Sequence, residues 1–498
     1  MDNFNQVIDQ IGFGSMHLYA TITLGLLQML TIHETMGMGI IGPASVCDLR
    51  INQVQLASLT AAGFLGIISS SYFWGYITDK KGRRWTLLRT ITVSNVCSIV
   101  SMFMVNFSGF FVMRFITGIF VAAPSFVAAT YLSEFCSQRI LARTLTHMYM
   151  FTGFAMLYCP AWAALFLSTK FMEFEVEVAG SLSLRPWRIL GCLNILPGVI
   201  AFFLLLSLPE SPKFLFNIGD TDKGLAAMER ICHKNTGKPL SAEQIQSLRI
   251  YQSVASARFK RKKSEYNFLR SMIDDAMPLF RKPFLGLFMA ACLVMFILAP
   301  RIRRANGLGL WYTAMRNRYN MRQGNIKGMS FCRVLFFPEM RPLMETEKDF
   351  EPVCNDAFKG FNDSFILGVV YIILYNICWL SLFCVPRKVM FVVSMLISSL
   401  CGFLLIFVKD RWVQLFSLVF FLAIPGAVVS LLGGALCLFV PTHLRGKALC
   451  ISLMWCRCGA ALGSILTGSG FHNNCEISLI AIAVLPLIAV GTEGYLPM

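Results

Sequence analysis

Four ionisable side chains stand inside long apolar runs of this chain. His33 and Glu34 fall within "LLQMLTIHETMGMGI" (26–40), Arg114 within "FFVMRFITG" (110–118) and Arg457 within "LMWCRCGAALG" (453–463). A charge surrounded by apolar side chains needs a partner, and in a membrane such charges mark polar paths. On a helix turning 100° per residue, Gln28, Thr31, Thr35, Gly39 and Gly42 share one face within roughly 80°, with Glu34 at its edge. Glu34 on this face suits either a polar path or a structural hydrogen bond, whereas His33 points nearly the opposite way and reads as a packing histidine. Arg457 aligns with Ser464, beside a stripe of Gly459, Gly463 and Gly470 suited to close helix packing. Arg114 lies near the end of its apolar run and suits a structural role first.

Enzymatic chemistry finds no comparable support. The chain has no GxxxxGK phosphate loop, no HExxH, no paired CxxC and no Gly-x-Ser-x-Gly elbow. Cys456 and Cys458 bracket an arginine, and His472 with Cys475 lacks partners at metal-ligand spacing. No catalytic residue, metal or cofactor is expected.

The elements that must carry these charges follow from composition. Of 498 residues 56% are hydrophobic and 14% charged, with 43 Phe and 26 Met, far more apolar than a soluble domain. Apolar segments at 17–44, 54–77, 86–106, 109–133, 144–168 and 187–208 are each near or above the ~20 residues a helix needs to cross a bilayer. After a polar gap the series resumes at 284–300, 364–385, 389–408, 412–440, 446–469 and 476–494. The expectation is an all-α membrane protein of about twelve spans in two sixes. The first fifteen residues carry acidic groups and no Lys or Arg, and no cleaved signal is expected.

Loops after the even-numbered spans hold Lys80, Lys81, Arg83 and Arg84, then Arg139 and Arg143, then Arg387 and Lys388, then Arg445 and Lys447. Basic loops face the cytosol. Both termini and the gap at 209–283, with its "RFKRKK" run (258–263), are placed there, and the run reads as a solvated juxtamembrane face. The formal charge of +17 is therefore a topology signal, and no nucleic-acid partner is expected. Residues 301–363, on the expected outside, open on Arg301, Arg303 and Arg304 against this trend, as long loops can. Cys332 and Cys354 share that loop, and a disulfide between them is open; the other cysteines lie mostly in apolar spans. The acceptor triplets at Asn106 and Asn362 sit too close to spans for efficient glycosylation. "TDKGLAAMERICHK" (221–234) reads as a short cytosolic helix stopped by Gly237.

One polar stretch stands out. "GYITDKKGRRWTLL" (75–88) packs five charges into the six positions from Asp79 to Arg84. Gly75 permits close backbone approach and Gly82 a tight turn. A positive-inside loop needs neither glycine nor the acid, whereas a contact that differs between two arrangements of the bundle can use Asp79, paired locally or with a neighbouring helix N-terminus.

"GYITDKKGRR" resembles the G-x-x-x-D-[RK]-x-G-R-[RK] signature of the major facilitator superfamily of secondary transporters. "RFITG" (114–118), "YLSEF" (131–135), "LPESPKFL" (208–215), "PTHLRG" (441–446) and "RCGAALGS" (457–464) resemble further pieces of that pattern. "GFGSMH" (12–17), "CDL" (47–49) and "NGLGLWY" (306–312) are similar to the synaptic vesicle glycoprotein 2-like proteins, relatives of the organic ion transporters. The resemblance implies two six-helix bundles around a central cavity: 1–208, a cytosolic linker at 209–283, and 284–498. It implies a substrate cavity lined by Glu34, Gln28, Thr31, Arg457 and Arg114. The implied conformational motif comprises Gly75, Asp79, Gly82, Arg83, Arg84, Glu134, Arg143 and Arg445. Glu34 and Arg457, from different halves, could serve as each other's partner.

The second half departs from the pattern. "CVPRKV" (384–389) lacks the acid and the glycine of the first-half signature, Thr144 follows Arg143 where relatives carry Gly, and "LCLFV" lacks an acid before "PTHLRG". The arginines at 301–304 interrupt what the pattern would run as span seven. The implied activity is secondary transport of a small charged organic solute, with or without a coupling ion, by a monomer in a plasma or vesicle membrane. The alternatives are a non-transporting ligand-binding relative and a sugar porter. A topology test follows from the basic loops: a membrane-impermeant thiol reagent should label cysteines engineered at 320–350 in intact cells and miss those at 240–260. The reverse pattern would invert the orientation.

Overall fold

The computed structural model describes residues 3–137, 139–168, 176–179, 182–262, 277–282, 284–286, 288–295, 361–440, 444, 446–459 and 475–491. Arg445, the arginines at 301–304, Cys332, Cys354 and positions 463, 464 and 470 lie outside the described residues.

Apolar runs of span length become helices because a helix satisfies its own backbone groups where no water can. In the first half these are α2 (Ser15–Met36) and α3 (Met38–Leu49), α4 (Gln53–Lys81), α5 (Arg83–Met102), α6 (Phe107–Phe135), α7 (Leu141–Ser168), and the pair α8 (Pro186–Leu193) and α9 (Leu196–Leu206). The expected first span runs from α2 into α3 through Gly37, whose backbone stays helical and donates to the His33 carbonyl at 3.0 Å. In the second half the helices are α13 (Phe361–Ser381), α14 (Arg387–Phe407), α15 (Arg411–Phe439) and α16 (Cys475–Gly491), with further helical turns at 446–459 and an apolar helix Phe284–Met295. Seven helical stretches among the described residues are long and apolar enough to cross a membrane. α5 is not among them, because one of its faces carries Thr86, Thr90, Ser94, Ser98 and Ser101; all five are buried, turned away from lipid.

Starts and stops follow local chemistry. Asn52 and Gln55 form a reciprocal capping box at the head of α4. Asn106 caps α6 by accepting from the Gly109 N–H at 2.8 Å, so its side chain is already committed to the backbone. α4 and α6 approach so closely that a Cβ on Gly118 would lie 3.0 Å from the Gly63 Cα. Only a residue without a side chain fits there.

The expected linker is a folded unit. α10 (Pro212–Ile218), α11 (Thr221–Thr236) and α12 (Ala242–Lys262) pack with α1 (Asn3–Ile11), whose Phe4, Val7, Ile8 and Ile11 are buried. Phe4 meets Phe216 edge-on and tilts against Tyr251. α11 ends as expected, with Gly237 left-handed at φ 72°. A departure from all-α is a two-stranded hairpin between α7 and α8: β1 (Val176–Ala179) pairs antiparallel with β2 (Leu182–Leu184).

The halves meet along α7 and α13. A Cβ on Gly153 would press on Ile372, and one on Gly368 on Leu157. α4 meets the 446–459 helix, where the Cys450 thiol donates to the Ser71 carbonyl at 3.0 Å.

Candidate functional site

The buried charges of the first half are paired. Arg114 on α6 donates from Nη1 to Glu34 Oε2 at 2.6 Å, and Ser98 Oγ on α5 donates to Glu34 Oε1 at 2.8 Å. Both charged side chains are only 3% exposed. The reason is angular: Glu34 sits at the edge of the Gln28–Thr31–Thr35 face and turns toward α5 and α6. Its counter-charge is therefore Arg114, and the suggested partnership with Arg457 does not form. The Phe110 ring lies 5.5 Å from the Arg114 guanidinium. Gln28 and Thr31 are buried on α2; the Thr31 hydroxyl is spent on the Leu27 carbonyl at 3.0 Å, whereas Gln28 Oε1 has no hydrogen-bond partner among the described residues. His33 packs as expected, with ring nitrogens 3.1 Å from the Asn194 carbonyl and 3.3 Å from that of Ala155, stacked on Tyr158.

At the basic end the quoted stretch forms a second cluster. Arg83 Nη2 lies 3.1 Å from Asp79 and 3.0 Å from Glu134. Lys447, from the second half, reaches Asp79 at 3.6 Å. Gly82 adopts φ 104°, the turn that lets α5 start immediately after α4. Gly75 faces Cys450, which a Cβ there would approach to 3.3 Å.

Glu210 organises this end. Its Oε1 accepts from the backbone N–H of Arg83 at 2.9 Å and of Arg84 at 3.0 Å, and Oε2 from that of Trp85 at 3.3 Å. Three orphan donors at the head of α5 are thereby met by one carboxylate, which the helix dipole also favours. Glu210 lies within "LPESPKFL" but is not among the residues expected in the conformational motif. The signal lay in that acid itself, placed just after the sixth span, but nothing local says which helix it caps. Arg84 donates to the last carbonyls of α9, Leu205 at 3.2 Å and Leu206 at 2.7 Å, so this one guanidinium ties α5 to α9.

Across the halves the contacts change character. The Arg143 guanidinium lies 4.2 Å from the Phe383 ring centroid, and His147 stacks on Trp379 at 4.8 Å. Arg457 lies over the ring of Phe64, on α4 of the opposite half, at 6.0 Å. It is partly exposed, and no carboxylate among the described residues pairs with it.

A further cluster, not anticipated beyond the "CDL" likeness, closes the other end of the first half. Arg188 Nη2 donates to Asp48 at 2.7 Å while Nη1 donates to the Met102 and Met104 carbonyls. These contacts join α3, α5 and α8.

Removing one partner of a buried pair costs more than the pair contributes, because the remaining charge is stranded. Arg114→Gln should therefore lower stability by about 3–5 kcal/mol, and Glu34→Gln added to it should recover a large part. Thermal unfolding of the purified variants in detergent checks this; an Arg114→Gln protein as stable as the parent would remove the pair's structural importance.

A family model described as "Sugar (and other) transporter" matches residues 11–308. Synaptic vesicle glycoprotein 2A of Rattus norvegicus is 24% identical over 232 residues, 47% of this chain and 31% of that protein. Synaptic vesicle 2-related protein of Xenopus laevis is 30% identical over 236 residues, 47% of this chain and 39% of that one. The matches thus span well under half the length of these relatives. Among solved structures, the xylose transporter XylE from E. coli in a partially occluded inward-open conformation superimposes with a TM-score of 0.62 at 14% identity, covering 96% of this chain and 98% of that one. That likeness is one of fold. The chain belongs to the sugar (and other) transporter family, with the major facilitator fold and its likeness on the synaptic vesicle glycoprotein 2 side.

Proposed function

We propose that this chain is a secondary transporter that carries a small organic anion by alternating access between its two halves. The observation that supports the anion is Arg457. It stands where the halves meet, over Phe64, with no carboxylate partner among the described residues. Glu34, the group that would favour a cation, is neutralised by Arg114. The inter-half path is then left with a positive charge, and a guanidinium binds a carboxylate or phosphate in bidentate fashion. Gln28, whose amide oxygen is buried without a partner among the described residues, is the further polar group that the family resemblance assigns to the cavity, with Thr31 one turn on along α2. The chain works as a monomer with both termini cytosolic, in a plasma or vesicle membrane, and an ion gradient or solute exchange drives it.

Access changes when contacts at the basic end are exchanged. Asp79, Gly75, Gly82, Arg83, Arg84 and Glu134 form the first-half side of this latch, Lys447 the second-half side, and Arg143 on Phe383 a second closure. Arg445 belongs to the same motif by sequence.

Two measurements test the proposal. In an uptake or thermal-shift screen of organic anions, cations and sugars, anions should be the class that binds, and Arg457→Gln should weaken binding by about 10- to 100-fold, the worth of a charge-assisted hydrogen bond. Binding of cations or neutral sugars that Arg457→Gln leaves unchanged would overturn the anion reading; anion binding without uptake would make the chain a non-transporting receptor. For the latch, Lys447→Gln should shift the outward- and inward-open populations by about 1–3 kcal/mol, read as accessibility of cysteines placed along the path. The same change in an Asp79→Asn background should add little, since the cross-half pair is already gone. Independent, additive effects would mean that the two residues do not act together.

A further inference from the structure

α5 presents an outward face of Trp85, Arg89, Thr92, Val93, Val96, Ile99 and Val100, all exposed. In a membrane-spanning chain that face meets lipid. Arg89 is the anomaly on it: six residues in from the head of the helix, about 9 Å along the axis, with apolar residues beyond. Its guanidinium lies 5.8 Å from the Trp85 ring centroid, drawn toward the basic end of the helix. No carboxylate pairs with it among the described residues. Trp85, 41% exposed, has an indole N–H with no acceptor among the described residues. Neighbouring arginines differ. Arg84 is spent on the Leu205 and Leu206 carbonyls, and Arg230 donates to the Ser207 carbonyl at 2.7 Å.

A guanidinium on a lipid-facing helix snorkels toward the headgroups and needs an anion there. Here it is held over an indole, so a cation and an N–H donor sit side by side with nothing among the described residues to accept from them. We propose that Arg89 and Trp85 form a headgroup site for an acidic phospholipid in the leaflet at the basic end of the bundle. The lipid phosphate accepts from the guanidinium and the indole N–H, and the acyl chains run along Val93, Val96 and Val100. Lys80, Lys81, Arg83, Arg84 and Arg230 at the same end outnumber the carboxylates of Asp79, Glu134 and Glu210 there, an excess of positive charge that favours a net-negative headgroup over a zwitterionic one.

Native mass spectrometry of the full chain, purified in mild detergent with equal amounts of phosphatidylserine and phosphatidylcholine of the same acyl chains, tests this. The wild type should retain phosphatidylserine about threefold or more over phosphatidylcholine, and Arg89→Gln should abolish that preference. Trp85→Phe, which keeps an aromatic ring and removes the N–H, should lower it by about half, and Arg89→Lys should keep a reduced preference. These two conservative variants carry the test should Arg89→Gln fail to fold. Soluble glycerophosphoserine or inorganic phosphate at millimolar concentration should not displace the lipid; displacement would reassign the site to soluble anions. Equal retention of both lipids by the wild type, or an undiminished preference in Arg89→Gln, would overturn it. The readout is lipid retention, so it stands apart from any result on transport.

Discussion

A charge inside an apolar bundle must be neutralised where it stands, and this constraint arranges much of the first half. Isolated in a low-dielectric interior, a carboxylate or guanidinium costs several kcal/mol even after relaxation. Glu34 and Arg114 meet at 2.6 Å and tie α2 to α6, and the Ser98 hydroxyl brings in α5. Asp48 and Arg188 do the same for α3 and α8 at one end. Asp79, Arg83, Glu134 and Glu210 bind α4, α5, α6 and the segment after α9 at the other. Apolar packing alone sets no unique rotation of a helix among lipid-like neighbours; three polar clusters, each fixed in geometry, do.

Seen this way, the second half is different in kind. Its counterpart of the first-half signature lacks the acid, and Arg143 lies instead on the Phe383 ring, with His147 on Trp379 beside it. A cation over an arene contributes about 0.5–2 kcal/mol and tolerates sliding, whereas a hydrogen-bonded ion pair demands a fixed geometry. The two contacts across the halves at the basic end therefore differ in character: an ion pair between Lys447 and Asp79 at 3.6 Å, and a guanidinium lying on an arene at Arg143–Phe383. A departure that reads in the sequence as a loss is in the structure a substitution of one attraction for another.

What could be read from the residues was whatever depends on local pattern. Span positions, the stop at Gly237, the turn at Gly82 and the packing role of His33 each follow from a few neighbouring positions. α1 was not expected, although Phe4, Val7, Ile8 and Ile11 recur at helical spacing, because the segment is too short and polar to stand as a span by itself. Partners across the fold were not legible. Helical geometry puts Glu34 at the edge of a face, and a rotation of a few tens of degrees decides whether it meets α6 or the path between the halves. The role of Glu210 is likewise set by where α5 begins in space, 127 residues before it in the chain.

The pairing of Glu34 also changes what the remaining charges mean. Were both Glu34 and Arg457 turned toward the path between the halves, their fields would largely cancel and a neutral or zwitterionic solute would fit as well as an ion. With Glu34 held by Arg114, the asymmetry between the halves becomes electrostatic: the first half contributes buried, neutralised clusters, and the second contributes a cation that leans on Phe64 of the first. An arene screens a guanidinium only weakly compared with a carboxylate. On the anion transport proposed above, a movement that separates the halves would take Phe64 from Arg457 and leave the cation with more to gain from an anion. On that proposal, occupancy and conformation would be coupled through this one contact, because the state with the barest cation is the one that gains most from binding.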